Sequence, residues 1–262
     1  MNNVLYLISN YIEVFLLVLT RTTSLFIISP IFGRRNMSNM VKIGLGFMIA
    51  LIITPALDEI PQIRDMHFLA YMGIIIKEFA VGLILGFITY ITFSALYIAG
   101  QIIDMQIGFG MVNVFDHQSN IQVPVIANLY TVIATLMFLS MNGHHMIISS
   151  IFYSYKIIPI GSFIMSERLL GDIIRIFADA FVIGFKIAAP VIATIFITDV
   201  VLGILARTIP QMNVFVVGMP LKIIIGMFTL VLSVAAFSII MEVMAEGMYR
   251  DLETVIKDMV KR

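Results

Sequence analysis

The sequence predicts an all-α integral membrane protein. Hydrophobic residues make up 60% of the 262-residue chain and charged residues only 12%, and the mean hydropathy is +1.04. Soluble domains carry about 25% charged residues, so this chain has roughly half the charge that a water-exposed surface requires. Long apolar runs recur along it, and a run of about 20 apolar residues is enough to cross a bilayer as a helix.

Six hydrophobic segments are predicted to form the membrane helices. They belong to a single membrane domain over residues 1–262, because no polar linker sets off a second domain. Residues 242–262 follow them as an amphipathic tail, and residues 144–161 are moderately apolar, as expected of a short interfacial helix. The six segments cover residues 4–32, 41–57, 69–100, 123–141, 173–205 and 214–241.

Proline and glycine place the expected ends and breaks of these segments. The first segment ends at Pro30, the short second segment carries Pro55, and the fourth stops at Asn142-Gly143. The third and fifth segments are longer than a bilayer requires, which predicts that they tilt, break or protrude. We expect those breaks at Gly100 and at Pro190.

Ionisable residues inside the apolar segments predict contacts within or between protein subunits. A charged group in a membrane is costly and faces a partner, a cavity or an interface. We favour ion pairs between helices or subunits over an ion relay, because no chain of Asp, Glu and His lines one helix. Asp199 and Arg207 are offset by about 80° around a helix, so we expect their partners in other subunits. The residues with this predicted role are Arg21, Glu78, Asp179, Lys186, Asp199, Arg207 and Lys222.

Glycine marks two further features of the third segment. Gly82 and Gly86 form a G-x-x-x-G pattern, which predicts that another helix packs closely there. Residues 101–122 then mix glycine, glutamine and aspartate with apolar residues. Non-helical backbone at membrane depth must be buried in protein or line a cavity. The run Gly108-Phe109-Gly110-Met111 is flexible and apolar enough to plug a narrow passage, and an ordinary loop is the alternative.

Composition and motifs argue against several other functions. Sixteen Lys and Arg residues balance sixteen Asp and Glu residues, whereas a nucleic-acid-binding protein needs a basic excess. The absence of cysteine excludes thiolate metal sites and thiol nucleophiles. His144 and His145 are adjacent, without the i, i+4 spacing of two metal ligands on a helix. We therefore expect no enzyme activity, no catalytic residues, no metal site and no cofactor.

A specific motif follows the fifth segment. Residues 199–215 read D-x-x-x-G-x-x-x-R-x-x-P-Q-M-N-x-F, and residues 218–222 continue as G-M-P-L-K. This pattern resembles the FliR family, the R subunits of the flagellar type III export gate, which are homologous to the T subunits of injectisomes. The resemblance covers essentially the whole chain. Its most specific residues are Pro210, Gln211, Met212, Asn213 and Phe215.

The resemblance implies a place in a protein-export channel. It implies that the chain joins FliP and FliQ in a hetero-oligomeric gate, with FlhB on the cytoplasmic side, and that unfolded flagellar proteins pass through the centre. It also implies a multi-pass location in the bacterial inner membrane, at the flagellar basal body, in contact with membrane lipid. A stand-alone secondary transporter or channel is the alternative, and it would need a midplane site, commonly at an internal repeat.

The resemblance also implies a role for the loop after the third segment. In this family that loop contributes to a plug that closes the resting pore, and methionine side chains form a deformable seal. We expect an apolar plug to block ions and water by dewetting. The residues that match by position are Gly108, Phe109, Gly110, Met111, Val114 and Phe115.

Overall fold

A computed structural model of the chain describes residues 2–33, 37–57, 61, 67–110, 124–211 and 213–260. The regular structure in these ranges is helical, and Phe109 and Gly110 are helical as well. A short 3-10 helix, Thr54–Ala56, follows α2. In chain order the α-helices are α1 Asn2–Ile28, α2 Asn39–Ile53, α3 Phe68–Ile107, α4 Val125–Ser140, α5 Gly143–Ile157, α6 Glu167–Thr208 and α7 Val214–Asp258.

Most of these helices are suited to a bilayer. Among the described residues, five helices are long and apolar enough to cross a membrane. They are α1 from Asn10, α2 with its 3-10 extension to Ala56, α3, α6 and α7. A sixth crossing is added if α4 and α5, which meet at a bend of 69°, count as one span. The predicted all-α membrane fold is confirmed.

Three predicted segment ends differ from the structure. Helix α3 continues through Gly100 to Ile107 over 40 residues, so the expected break at Gly100 is wrong. Helix α6 runs through Pro190 over 42 residues, so the break expected there is also wrong. The predicted amphipathic tail is largely the last part of α7, which is 45 residues long and ends at Asp258.

The break predicted at Asn142-Gly143 is confirmed. Asn142 has a φ of 58° and a left-handed backbone conformation between α4 and α5. Asparagine tolerates this conformation better than most residues, because its short polar side chain can bond locally. The chain therefore turns sharply at this point, and the apolar run continues as α5.

The chain forms two compact units. The first consists of residues 1–91, 142–176 and 246–262. In it, a Cβ atom added at Gly82 would overlap the carbonyl oxygen of Arg21, and one added at Gly86 would lie 2.7 Å from the carbonyl oxygen of Leu25. The close packing predicted for the G-x-x-x-G pattern is thus confirmed, and α1 is the helix that packs there.

The second unit consists of residues 92–141 and 177–245. Helices α3 and α6 approach closely at Gly184, where an added Cβ would lie 2.9 Å from the carbonyl oxygen of Ala95. Aromatic pairs join α4 to its neighbours: Phe93 packs edge-on against Phe138, and Tyr130 lies 5.1 Å from Phe237 between ring centroids. The single export-gate domain over residues 1–262 stays a prediction.

Candidate functional site

Asp104 joins the last turns of α3 to the start of α4. Its side chain is buried, and its Oδ2 accepts hydrogen bonds from the backbone N–H groups of Ile126 (3.1 Å) and Ala127 (3.2 Å). Pro124 precedes α4 and gives it no side-chain cap. The free N–H groups at a helix start need acceptors, and its positive dipole end favours a carboxylate. Asp104 therefore caps α4 from another helix.

Two close contacts fix the same end of α3. A Cβ atom at Gly100 would overlap the backbone of Ala127, so α3 and α4 touch there main chain to main chain. Helix α7 packs closely against α3 at Gly226, where an added Cβ would lie 2.6 Å from the side chain of Ile107. Gly100 is thus a contact point between helices rather than the break expected from its sequence.

Gly108 ends α3 at the start of the predicted plug. Its φ of +98° lies in the region that glycine tolerates best, and its N–H donates to the carbonyl oxygen of Asp104 at 3.2 Å. Phe109 is partly exposed and Gly110 is exposed. Three other predicted plug residues, Met111, Val114 and Phe115, lie outside the described residues. The structure thus places Gly108 at the firmly held end of α3, with Phe109 and Gly110 in the helical residues that follow it.

Asp104→Asn is expected to loosen the start of α4. The amide keeps one acceptor oxygen but loses the charge, and helix caps and charges at helix ends contribute about 1–2 kcal/mol. Hydrogen exchange at the amides of Ile126 and Ala127 should become roughly tenfold faster. The control is Asp179→Asn, at an exposed aspartate of α6. Equal exchange in the wild type and in Asp104→Asn would show that the carboxylate does not cap α4.

Arg21 and Glu78 form a buried ion pair in the first unit. Arg21 Nε donates to Glu78 Oε2 at 2.6 Å, and both side chains are 0% exposed. Arg21 Nη1 also donates to Ser154 Oγ at 3.2 Å, and both terminal nitrogens donate to the carbonyl oxygen of Ile158 at 3.3 Å. The guanidinium carbon lies 3.9 Å from the centre of the Tyr155 ring. The cation is therefore surrounded by acceptors and an aromatic face.

Glu78 extends this cluster to the turn after α5. Its Oε1 accepts from the backbone N–H of Gly161 at 2.9 Å, and the neighbouring Lys77 donates to the Gly161 carbonyl oxygen at 3.0 Å. Gly161 has a φ of +79°, which favours glycine. Helices α1, α3 and α5 are thus joined through one charged centre, which we call the Arg21 cluster: Arg21, Glu78, Ser154, Tyr155, Ile158 and Gly161.

Asp199 and Lys222 form an ion pair between α6 and α7 in the second unit. The Asp199 side chain is 45% exposed and that of Lys222 is 26% exposed. The sequence led us to expect the partner of Asp199 in another subunit, and the structure instead supplies Lys222 of the same chain. The eight-residue spacing between Asp199 and Arg207 argued against a pair between these two residues. It gave no information on contacts with α7.

Three other predicted charges lie on exposed helix faces. Asp179, Lys186 and Arg207 are all exposed on α6. Among the ion pairs of the described residues, none includes any of the three. These charges are therefore available to groups outside this chain.

The described residues of the P-Q-M-N motif lie between α6 and α7. Asn213 Oδ1 accepts from the backbone N–H groups of Phe215 (3.1 Å) and Val216 (3.4 Å), so Asn213 caps α7. Pro210 and Gln211 are exposed, and the Phe215 side chain is 73% exposed. Met212 lies outside the described residues. The motif thus combines a helix cap with an exposed aromatic side chain.

Sequence reasoning did not assign roles to Asp104, Ser154, Tyr155 and Gly161. Two partners of Arg21, Ser154 and Ile158, lie more than 100 residues away in the sequence, where no local spacing connects them to it. Asp104 did leave a signal, because Pro124 cannot cap the helix that follows it. As for metals, the described residues contain no group of three or more His, Cys, Asp or Glu side chains that could hold an ion.

The fold and these sites define a multi-pass helical membrane protein with charges both inside and on the faces of its long helices. Residues 12–248 match the family described as bacterial export proteins, family 1. The chain is 39% identical over 230 residues to the flagellar biosynthetic protein FliR of Bacillus subtilis strain 168, covering 86% of this chain and 88% of that protein. The chain belongs to this family of bacterial export proteins, the FliR family.

Of two further relatives, one is a flagellar protein and the other is a translocation protein. The flagellar biosynthetic protein FliR of Escherichia coli K12 is 29% identical over 219 residues, covering 83% of this chain and 82% of that protein. The Yop proteins translocation protein T of Yersinia pestis is 30% identical over 229 residues, covering 86% of this chain and 87% of that protein. Membership makes the chain a membrane component of a multi-protein type III export apparatus.

Proposed function

We propose that this protein is the R subunit of a flagellar type III export gate in the bacterial inner membrane. With FliP and FliQ it forms the channel through which unfolded flagellar proteins pass, and FlhB contacts the gate on the cytoplasmic side. The observation that carries this proposal is the 39% identity, over 86% of the chain, to a flagellar biosynthetic protein FliR. The proposed function requires no cofactor, no metal and no catalysis by this chain.

Exposed charges on α6 support assembly with other subunits. Asp179 and Arg207 stand on exposed faces of a helix that is long and apolar enough to cross a bilayer. Large apolar side chains such as Phe196 and Ile204 are also more than half exposed on this helix. Charges at membrane depth are stable when they face protein or a cavity. A stand-alone transporter or channel, the alternative function, would leave Arg207 without a protein partner.

The end of α3 supports the plug role. Asp104 caps α4, Gly100 touches α4, and Ile107 fits against Gly226, so the backbone is fixed up to Gly108. Gly108, with a φ of +98°, then turns the chain before the helical residues Phe109 and Gly110. An apolar segment that follows a firmly held helix end suits a seal that excludes water from a narrow passage. Met111, Val114 and Phe115 complete the proposed plug.

Arg207→Ala is the test of the proposed assembly. Removing one charge of a buried interfacial pair costs about 2–5 kcal/mol. We therefore expect the amount of FliP and FliQ that co-purifies with the tagged protein to fall at least tenfold. Secretion of flagellar hook and filament subunits into the medium should fall with it.

Arg250→Ala is the matched control, because Arg250 is an exposed arginine near the end of α7. Its complex and its secretion should equal those of the wild type. Normal co-purification and secretion by Arg207→Ala would remove Arg207 from the interface. Normal secretion by cells from which the whole gene has been deleted would overturn the proposed function itself.

A further inference from the structure

The second unit contains a cavity between α4, α6 and α7. Its volume is about 210 Å³ and its walls are mainly apolar. Aromatic, aliphatic and methionine side chains form most of the lining, together with one cation. The lining includes Tyr130, Met137, Lys186, Pro190, Ser233 and Phe237.

The hydroxyl groups of this cavity already have partners. Ser233 Oγ donates to the carbonyl oxygen of Leu230 at 2.8 Å, and Tyr130 is hydrogen bonded to Ser233. A peptide segment in the cavity would therefore bury its own backbone groups without partners, which is costly. An aliphatic chain carries no such groups, so it suits these walls best.

Lys186 supplies a positive charge at the edge of the cavity. Its side chain is exposed, and the ion pairs of the described residues leave it without an acidic partner. Asp179 is the other unpaired charge nearby on the same helix, but seven residues separate the two by about 10 Å along the axis. A lysine next to an apolar cavity is thus suited to binding an anion that carries an apolar chain.

The length of α6 allows Lys186 to lie at the membrane surface. The helix has 42 residues, or about 63 Å, whereas the hydrocarbon core of a bilayer is about 30 Å thick. Lys186 lies about 29 Å from the start of the helix. Its flexible stem can also extend toward the headgroups while its methylene groups stay in apolar surroundings.

We propose that this cavity binds part of one acyl chain of an anionic phospholipid, whose phosphate pairs with Lys186. The chain fills the space between α4 and α7, and the ammonium group selects the anionic headgroup. Basic pockets between membrane helices bind anionic lipids by the same combination of charge and apolar contact. The lipid gives Lys186 the partner that its own chain does not provide.

The absence of tryptophan from the sequence allows a direct test. Met137→Trp and Ile240→Trp each place a single fluorophore in the cavity wall, on α4 and on α7. Each variant is reconstituted in phosphatidylcholine vesicles that contain brominated-chain phosphatidylglycerol or, in parallel, brominated-chain phosphatidylcholine. Phosphatidylglycerol should quench the fluorescence at about fivefold lower lipid fraction, the effect of one favourable lysine–lipid contact.

Lys186→Gln should remove this preference, whereas Lys156→Gln should keep it, because Lys156 is an exposed lysine of α5 outside the cavity wall. Equal quenching by the two lipids, or an unchanged preference in Lys186→Gln, would overturn the proposal. The measurement is repeated on the purified export complex. Quenching lost in the complex, together with dissociation of the complex by Lys186→Gln, would show that a partner's carboxylate occupies the site instead. Using two probes guards against one variant that misfolds.

Discussion

Glu78→Ala is expected to lower the free energy of unfolding by about 3–5 kcal/mol, because it leaves the Arg21 charge buried without its carboxylate. Arg21 and Glu78 are 0% exposed, so water cannot replace the lost partner. Folded proteins are typically stable by only about 5–15 kcal/mol. Most of the variant should therefore aggregate on mild heating in detergent. The measurement is the fraction of protein that still elutes as a monodisperse peak in gel filtration after heating.

Two variants separate the buried charge from general damage. Arg21→Met combined with Glu78→Leu removes both charges, and it should recover much of the stability that Glu78→Ala loses. Arg175→Ala breaks surface pairs with Asp172 and Asp251, where Arg175 is 52% exposed, and should cost about 1 kcal/mol. Equal monodisperse fractions of Glu78→Ala and Arg175→Ala after heating would mean that the Arg21 cluster does not hold the first unit together.

Replacing residues 108–111 with a short polar linker is expected to make cells leaky to ions and small solutes. A narrow apolar constriction excludes water, and polar side chains remove that barrier. The readout is membrane conductance, or uptake of a small dye, in cells whose assembled gate is verified by co-purification. Unchanged permeability with a fully assembled gate would exclude the plug role.

A matched pair of single substitutions refines this second prediction. Phe109→Asp should leak, because it places a charge at the apolar tip between Gly108 and Gly110. Phe109→Leu should remain tight, because it keeps an apolar side chain of similar length. A leak in both variants would point to ring shape, rather than dewetting, as the source of the seal.

Hydrophobic runs predicted the helices because apolar side chains favour the bilayer, and a backbone that crosses it must satisfy its hydrogen bonds within a helix. The sharp turn at Asn142 was also predictable, since an Asn-Gly pair favours a left-handed backbone. Gly100 misled the prediction because glycine serves two purposes. It can break a helix, or it can let two helices touch, and here it faces the backbone of Ala127.

The polar contacts were less predictable because they depend on tertiary structure. The cost of burying charge marked Arg21 and Glu78, but nothing in the sequence pairs residues 57 positions apart. Asp199 was expected to need another subunit, and α7 brings Lys222 to it instead. The cap at Asp104 was overlooked because aspartate in a glycine-rich run resembles a loop residue.

The central claim is that this chain is one subunit of a larger export gate. Native mass spectrometry of the tagged protein, extracted from its own membranes in mild detergent, tests this claim most directly. We expect one copy of the chain in a large complex with several copies of small hydrophobic proteins that match FliP and FliQ in mass. A monomer or homodimer that persists across several mild detergents would contradict the claim and favour a stand-alone transporter.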